Sequence, residues 1–338
     1  RKDHQKTKEL EETREKAAGY LKEMERLKSE LALAKGDTKK QGQYNEAVKG
    51  LSATDWFEKG YAYYEAKEYQ NALYAFNRVI ELNPKYANAY FGRGLVNYKL
   101  DNLNQAISDY TRVIELNPKL ALPYFARGNA YYDLGNCNQA IADYTRVIEL
   151  DPKDSSAYYI GRGNAYDKLG NHKQAIAEYN RAIELDPKDA DAYYNRGLAY
   201  GELGNYQQAI ADSTRAIKLD TKYAEAYGNR GVAYGQLGNY NQAIADYTRA
   251  IELNPKKAAD YYRRGVAYGK LGNYQYAIAD LTRAIELDPK LAVAYFGRGI
   301  AYGKLGNQQQ AFSDYKVAAR LGYKRAQDYL REKGIDWY

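Results

Sequence analysis

Apolar side chains along most of this chain return at helical spacing. In residues 124–134, Tyr124, Gly128, Tyr131 and Leu134 recur every three or four positions, the step that gathers one face of an α-helix. A second periodic stretch runs from Ala140-Ile141 to Ile148-Glu149-Leu150, and Leu134-Gly135-Asn136 stands between the two. Glycine takes the left-handed turn that ends a helix without steric cost. Asn136, with Gln139 three residues on, predicts an N-cap and a capping box for the next helix. Pro152 closes the second stretch, because proline pushes the residue before it out of helical geometry. The pattern predicts a helix, a tight turn, a second helix and a stop.

That unit recurs. Asn83-Pro84, Asn117-Pro118 and Asp151-Pro152 follow one another every 34 residues, and Asp186-Pro187 comes after 35. Thr221 then replaces proline, before Asn254-Pro255 and Asp288-Pro289 resume the period. A glycine column (Gly60, Gly94, Gly128, Gly163, Gly197, Gly231, Gly265, Gly299) and an alanine column (from Ala72 to Ala311) keep the same frame. Eight units over residues 53–323 share it, and six of them end the first helix at Leu-Gly-Asn. Small residues at fixed places mark where two helix backbones approach closely, and one hairpin needs neighbours to bury its apolar face.

The first unit carries Trp56, Gly60, Tyr63, Ala72, Phe76 and Pro84 at the signature places of a known family, and the chain resembles the tetratricopeptide repeat family over about four-fifths of its length. The resemblance implies an all-α, right-handed superhelical solenoid of stacked helix-turn-helix repeats, with a concave groove lined by the first helix of each unit. It also implies a protein or peptide partner. Some members clamp a partner's C-terminal carboxylates with Lys and Asn on successive first helices. Here aromatic residues replace that lysine, and the asparagine column reads Tyr61, Leu95, Asn129, Asn164, Leu198 and Val232, so a clamp of that kind is not expected.

Two candidate columns would line the groove. One is Phe57, Phe91, Phe125, Tyr194, Tyr262 and Phe296, with Gly228 breaking the row and Tyr159 or Ile160 standing for the fourth unit. Aromatic rings bring much contact area at low entropy cost, yet at helical spacing they also serve as packing between hairpins, and for this column the two readings balance. The other column is Tyr64, Tyr98 and Tyr132, then Asp167, then Gly201, Gly235, Gly269 and Gly303. The three tyrosines are the expected partner contacts, and the groove turns from aromatic to glycine-smooth along the chain.

Comparing the units with one another isolates further positions. An arginine precedes the frame glycine in units two to eight (Arg93, Arg127, Arg162, Arg196, Arg230, Arg264, Arg298), and the same units carry Asp109, Asp143, Glu178, Asp212, Asp246, Asp280 and Asp314 on the second helix. In the first unit both change together, to Lys59 and Ala75. The covariation predicts a ladder of Arg–carboxylate pairs between helices, with guanidinium chosen for its fork. The competing reading pairs each acid locally, as Asp109 with Arg112. The fourth unit holds one residue more than the others, which calls for a bulge or a longer preceding loop if the helix face is to be kept.

Composition narrows the chemistry. There are 39 Tyr against 6 Phe and 2 Trp, a bias toward long half-buried surfaces over one deep core. Lys and Arg number 50 against 43 Asp and Glu, a surplus spread along the chain that does not call for nucleic acid. Cys137 is the only cysteine, so neither a disulfide nor a multi-thiolate site forms within the chain, and His4 and His172 are too few for a histidine-rich metal centre. His172 is expected at the surface. Cys137 stands where other units have Tyr206, Tyr240 and Tyr274, and is expected to be a half-buried small hydrophobe. The repeats leave 52 residues before them and 15 after, too few for an appended enzyme. No catalytic residue, cofactor, metal or membrane span is expected.

The remaining segments differ in kind. Residues 1–34 carry Leu10, Ala17, Met24 and Leu31 every seven positions, with Thr13, Tyr20 and Leu27 between, which reads as a coiled-coil arm or an amphipathic helix folded onto the first repeat. Residues 35–52 read as a linker. Residues 324–338 read as a capping helix with Ala326, Tyr329 and Leu330 inward, followed by an apolar tail that docks on its own cap or on a neighbouring molecule. The expected function is a non-enzymatic scaffold that binds a partner segment in the groove. The alternative is a subunit that self-assembles through residues 1–34 or the solenoid ends. The cytoplasm is the expected compartment, with an upstream signal or anchor left open because the chain begins at Arg1.

Overall fold

The computed structural model describes residues 51–152 and 155–337, and every regular element among them is helical. The expected arm over residues 1–34 lies outside the described residues. The helices form two compact units, one up to Ala165 and one from Tyr166.

In unit 1, α1 (Ala53–Glu65) folds back on α2 (Tyr69–Leu82), α3 (Ala87–Lys99) on α4 (Leu103–Leu116), and α5 (Ala121–Asp133) on α6 (Cys137–Leu150). Most of α7 (Ser156–Lys168) belongs to this unit and lies against α6, where Arg162 donates to Thr145 Oγ1 at 2.9 Å. Unit 2 begins in earnest with α8 (His172–Leu185) against α9 (Ala190–Glu202). It continues with α10 (Tyr206–Leu219), α11 (Ala224–Gln236), α12 (Tyr240–Leu253) and α13 (Ala258–Lys270). The series closes with α14 (Tyr274–Leu287), α15 (Ala292–Lys304), α16 (Gln308–Arg320) and the short α17 (Lys324–Glu332). Within each unit successive helices pack on one another, and several first helices of adjacent hairpins also touch, as α9 with α11 and α13 with α15.

The turns follow the sequence, but their caps do not. Gly135 takes φ +86°, its N–H reaches Tyr132 O at 3.0 Å, and the Asn136 N–H reaches Tyr131 O at 2.8 Å. These backbone bonds satisfy the orphan carbonyls of the ending helix. Asn136 then sits at φ −81°, ψ 61°, outside the extended region from which a side chain caps, and it makes no capping bond. The same holds at Asn239, so the expected Asn–Gln capping boxes are absent. A capping box does open α1, where Ser52 and Asp55 bond reciprocally.

The core is thin and repetitive. Tyr110, Tyr144 and Tyr179 are almost fully buried, each beside a frame alanine with no exposure at all. Their rings fill the space that the frame glycines leave: a Cβ built on Gly94 would stand 2.6 Å from Tyr110 Cε1. Cys137 is buried as well, at 3% exposure, rather than half-buried, because it packs against Tyr131, Tyr132 and Tyr144 beneath the turn. The extra residue of the fourth unit leaves its helix untouched. Like its counterparts α7 has 13 residues, so the extra residue falls before Ser156 and outside the helix.

The arginines form the inter-helix ladder. Arg127 donates from Nε and Nη2 to the two oxygens of Asp143, each at 2.8 Å, and from Nη1 to Thr111 Oγ1 at 2.9 Å. One guanidinium thereby ties its own helix, α5, to the second helix of its hairpin and to that of the preceding one. Arg230, Arg264 and Arg298 repeat the arrangement, and Arg93 and Arg196 do so with Asn77 and Asn180 in place of threonine. A tyrosine one turn back covers each guanidinium, as Tyr124 does Arg127 at 5.7 Å. The local alternative is not realised, since Arg112 pairs with Glu115 at 2.7 Å. At Arg196, the bonds to Asp212 raise the guanidinium pKa against the opposing effect of burial.

Candidate partner-binding face

The first helices present the same positions in every hairpin, so the candidate site builds up column by column. The Phe57, Phe91, Phe125, Tyr194, Tyr262 and Phe296 column is half-buried. Its rings wedge between hairpins: Phe125 stacks on Tyr144 at 6.0 Å and on Tyr158 at 4.9 Å, and Phe296 meets Tyr315 and Tyr323 at 5.3 and 5.2 Å. Packing therefore engages these rings while leaving each partly exposed. Because α7 starts at Ser156 as α5 starts at Ala121, Ile160 continues this column. Tyr159 instead covers Arg162 at 5.4 Å, in register with Tyr124, which corrects its expected place in the groove.

The three expected contact tyrosines differ in what they leave free. Tyr64 stacks loosely between Tyr61 and Tyr69, with ring centroids 6.4 and 6.2 Å away, and burial raises its phenol pKa. Tyr98 donates its hydroxyl to the Asp133 carboxylate of the next hairpin; burial first, and then that bond, push its pKa to about 12. Tyr132 lies partly covered beside Cys137 and Tyr144. All three keep some exposure, but the Tyr98 hydroxyl is already engaged.

Unit 2 presents open space in the same register. A pocket of about 270 Å³ is lined by Leu198, Gly201, Glu202, Tyr206, Val232 and Gln236, among others. The next, of about 400 Å³, shares Val232 and Gln236 with it and adds Gly235, Tyr262, Arg263 and Lys270. A third, again about 270 Å³, shares Val266 and Lys270 with the second and adds Gly269, Ile300 and Lys304. The pockets thus join through shared walls across α9, α11, α13 and α15.

Packing gives no reason for the glycines on this floor. A Cβ on Gly201 would meet nothing within 4 Å, and on Gly235, Gly269 or Gly303 only atoms 3.8–3.9 Å away, which is ordinary contact. Glycine inside a helix costs about 1 kcal/mol relative to alanine. The frame glycines repay that cost by admitting a ring; these four leave room unfilled.

One further set departs from the repeat. Where the aromatic column would continue, Gly228 is buried, and Asp260 stands where other hairpins have Ala192, Ala226 and Ala294. The Asp260 carboxylate faces the site of the missing ring, 3.4 Å from a Cβ built on Gly228. It is wholly buried and one of its oxygens has no hydrogen-bond partner, while Arg263 Nη1 holds the other at 3.3 Å. Burial raises the Asp260 pKa, with Lys257 and Arg263 pulling the other way. Arg263 is left 40% exposed, facing the middle pocket. Comparison of the repeats at the Ala192 position picks out Asp260, an acid where Ala226 and Ala294 stand in the neighbouring hairpins. His172, expected at the surface, is half-buried and bonded through Nδ1 to Asp167 at 2.7 Å. Among the described residues no cluster of His, Cys, Asp and Glu is arranged to hold a metal, and no helix is long and apolar enough to cross a membrane.

A profile described as tetratricopeptide repeat matches residues 87–120, 190–223, 224–257 and 258–291, and one described as TPR repeat matches 60–101, 128–160 and 163–204. The chain belongs to the tetratricopeptide repeat family. Among solved tetratricopeptide repeat structures, one from Parabacteroides merdae ATCC 43184 is 20% identical, with 75% of this chain and 99% of that one covered at TM-score 0.60. The APC/C Cut9–Hcn1 hetero-tetramer is similar at 19% identity over 87% of this chain and 59% of that one, with TM-score 0.59. Pseudomonas aeruginosa pilF is similar at 20% identity over 63% and 97%, with TM-score 0.56. These likenesses are of fold. No curated protein matches the chain. The repeats of this tetratricopeptide repeat protein make it a protein-interaction scaffold, with stacked helical hairpins as its frame.

Proposed function

We propose that this protein is a non-catalytic scaffold that holds an extended segment of a partner along the first helices of unit 2. The observation that carries the reading is the run of three joined pockets over glycines that packing does not require. An extended backbone needs a smooth floor to approach closely, and side pockets to take its side chains. In unit 1 the half-exposed Tyr64, Tyr98 and Tyr132 are proposed as a separate aromatic contact surface, with the Phe57, Phe91 and Phe125 rings behind them serving first as packing.

The test is a peptide array read with the whole chain and two variants. Gly235→Trp with Gly269→Trp fills the unit 2 pockets, and Tyr64, Tyr98 and Tyr132→Ala strips the aromatic face. Signals lost on filling and kept on stripping support the reading; the reverse moves the site to unit 1. Light scattering on the same sample separates a scaffold from a self-assembling subunit: a steady 38.5 kDa fits the former, and mass rising with concentration fits the latter.

A further inference from the structure

Charge runs along the proposed trough in one direction. The position after each floor glycine reads Glu202, Gln236, Lys270 and Lys304 from α9 to α15, all exposed. These side chains are the pocket walls: Glu202 lines the first pocket, Gln236 joins it to the second, Lys270 joins the second to the third, and Lys304 closes the third. Arg263 adds a cation in the middle pocket, where the Asp260 carboxylate holds it in place of the missing aromatic ring. Beside this gradient runs an apolar stripe of Leu198, Val232, Val266 and Ile300, the last 43% exposed. The far end of the trough therefore offers three cations around an apolar floor with no acidic wall residue among them.

Resting on the groove reading above, we propose that unit 2 selects an extended partner segment that is apolar along its length and acidic at one end, with the acidic end lying over Arg263, Lys270 and Lys304. Charge complementarity fixes which end of the ligand lies over α13 and α15. Packed helices lie about 8–10 Å apart and an extended chain advances about 3.3 Å per residue, so the segment presents an apolar side chain about every third residue. The chain's own tail is not the occupant, since Ile335 and Trp337 pack onto α16 and α17 and the Ile335 N–H bonds to Leu330 O at 2.9 Å.

Fluorescence anisotropy with the full chain tests the proposal, using labelled peptides of about twelve residues with leucine at every third place. One probe ends in three aspartates, one in three asparagines and one in three lysines. The aspartate probe is expected to bind about tenfold more tightly than the asparagine probe and to weaken as salt rises. Reversing the exposed charges with K270E and K304E should transfer the preference to the lysine probe. Equal binding of all three probes, abolished by Gly235→Trp with Gly269→Trp, overturns charge selection and leaves the groove reading standing. No binding, or binding that filling does not move, overturns the groove reading itself. A synthetic peptide of residues 1–34 that outcompetes the aspartate probe makes the chain's own arm the occupant and overturns the partner proposal.

Discussion

Glycine does two opposite jobs on the same helices. Gly94 is a packing glycine, since Tyr110 occupies the place of its missing side chain. Gly235 is a space-keeping glycine, with only Tyr247 Oη near, at 3.9 Å. The two should therefore respond to alanine with opposite sign. Gly94→Ala forces a buried ring aside and should destabilise by about 1–3 kcal/mol, the usual range for overpacking. Gly235→Ala gains helix propensity without a clash and should stabilise by about 1 kcal/mol. Urea melts of the two variants decide it. A loss of stability in Gly235→Ala would show that packing holds that position after all, and would remove the main argument for an open trough. Both glycines look alike in the sequence, because the atoms that distinguish them belong to another helix.

Between elements the arginine ladder carries specificity that burial alone lacks. Asp143 keeps 7% of its side-chain surface, and its two oxygens are met by one guanidinium fork that also reaches Thr111. Removing the cation leaves a buried carboxylate uncompensated, which costs about 3–5 kcal/mol when a buried pair is broken from one side. Arg127→Ala should lie near the lower end of that range, because the pair is partly reached by water. Arg127→Lys should lie between wild type and alanine, since an ammonium cannot span Asp143 and Thr111 in one plane. Changing Arg127 and Asp143 together to Met and Leu should recover most of the loss, as measured in a double-mutant cycle. The Arg–Asp covariation was legible in the sequence because Lys59 and Ala75 change together. The threonine leg was legible too, in the recurrence of Thr111, Thr145, Thr214, Thr248 and Thr282, but its partner lies in the next hairpin and no local spacing joins them.

At the scale of the whole molecule each hairpin answers mainly to its neighbours, as expected of a stack whose contacts are nearest-neighbour. Helix α17 closes unit 2 by setting Ala326 and Leu330 against Ala318, Ala319 and Tyr315. Deleting residues 324–338 should expose that face and lower hydrogen-exchange protection in α15 and α16, while α3 and α4 keep theirs. Protection lost evenly along the chain would mean that it unfolds as one cooperative body. The sequence by itself determined the hairpin, its period, the family and the frame that brings Arg127 to Asp143, because those follow from periodicity and from repeats that can be compared with one another. Tertiary structure decided the rest. It moved Tyr159 off the groove column, since only the register of the helix, fixed by its packing, shows on which side of Ser156 the extra residue falls. It replaced the capping boxes with backbone turns, since the asparagine ψ angle is set by the packing of both helices. It separated glycines that admit a ring from glycines that leave a pocket, because that difference lies in distances between helices that the chain order does not contain.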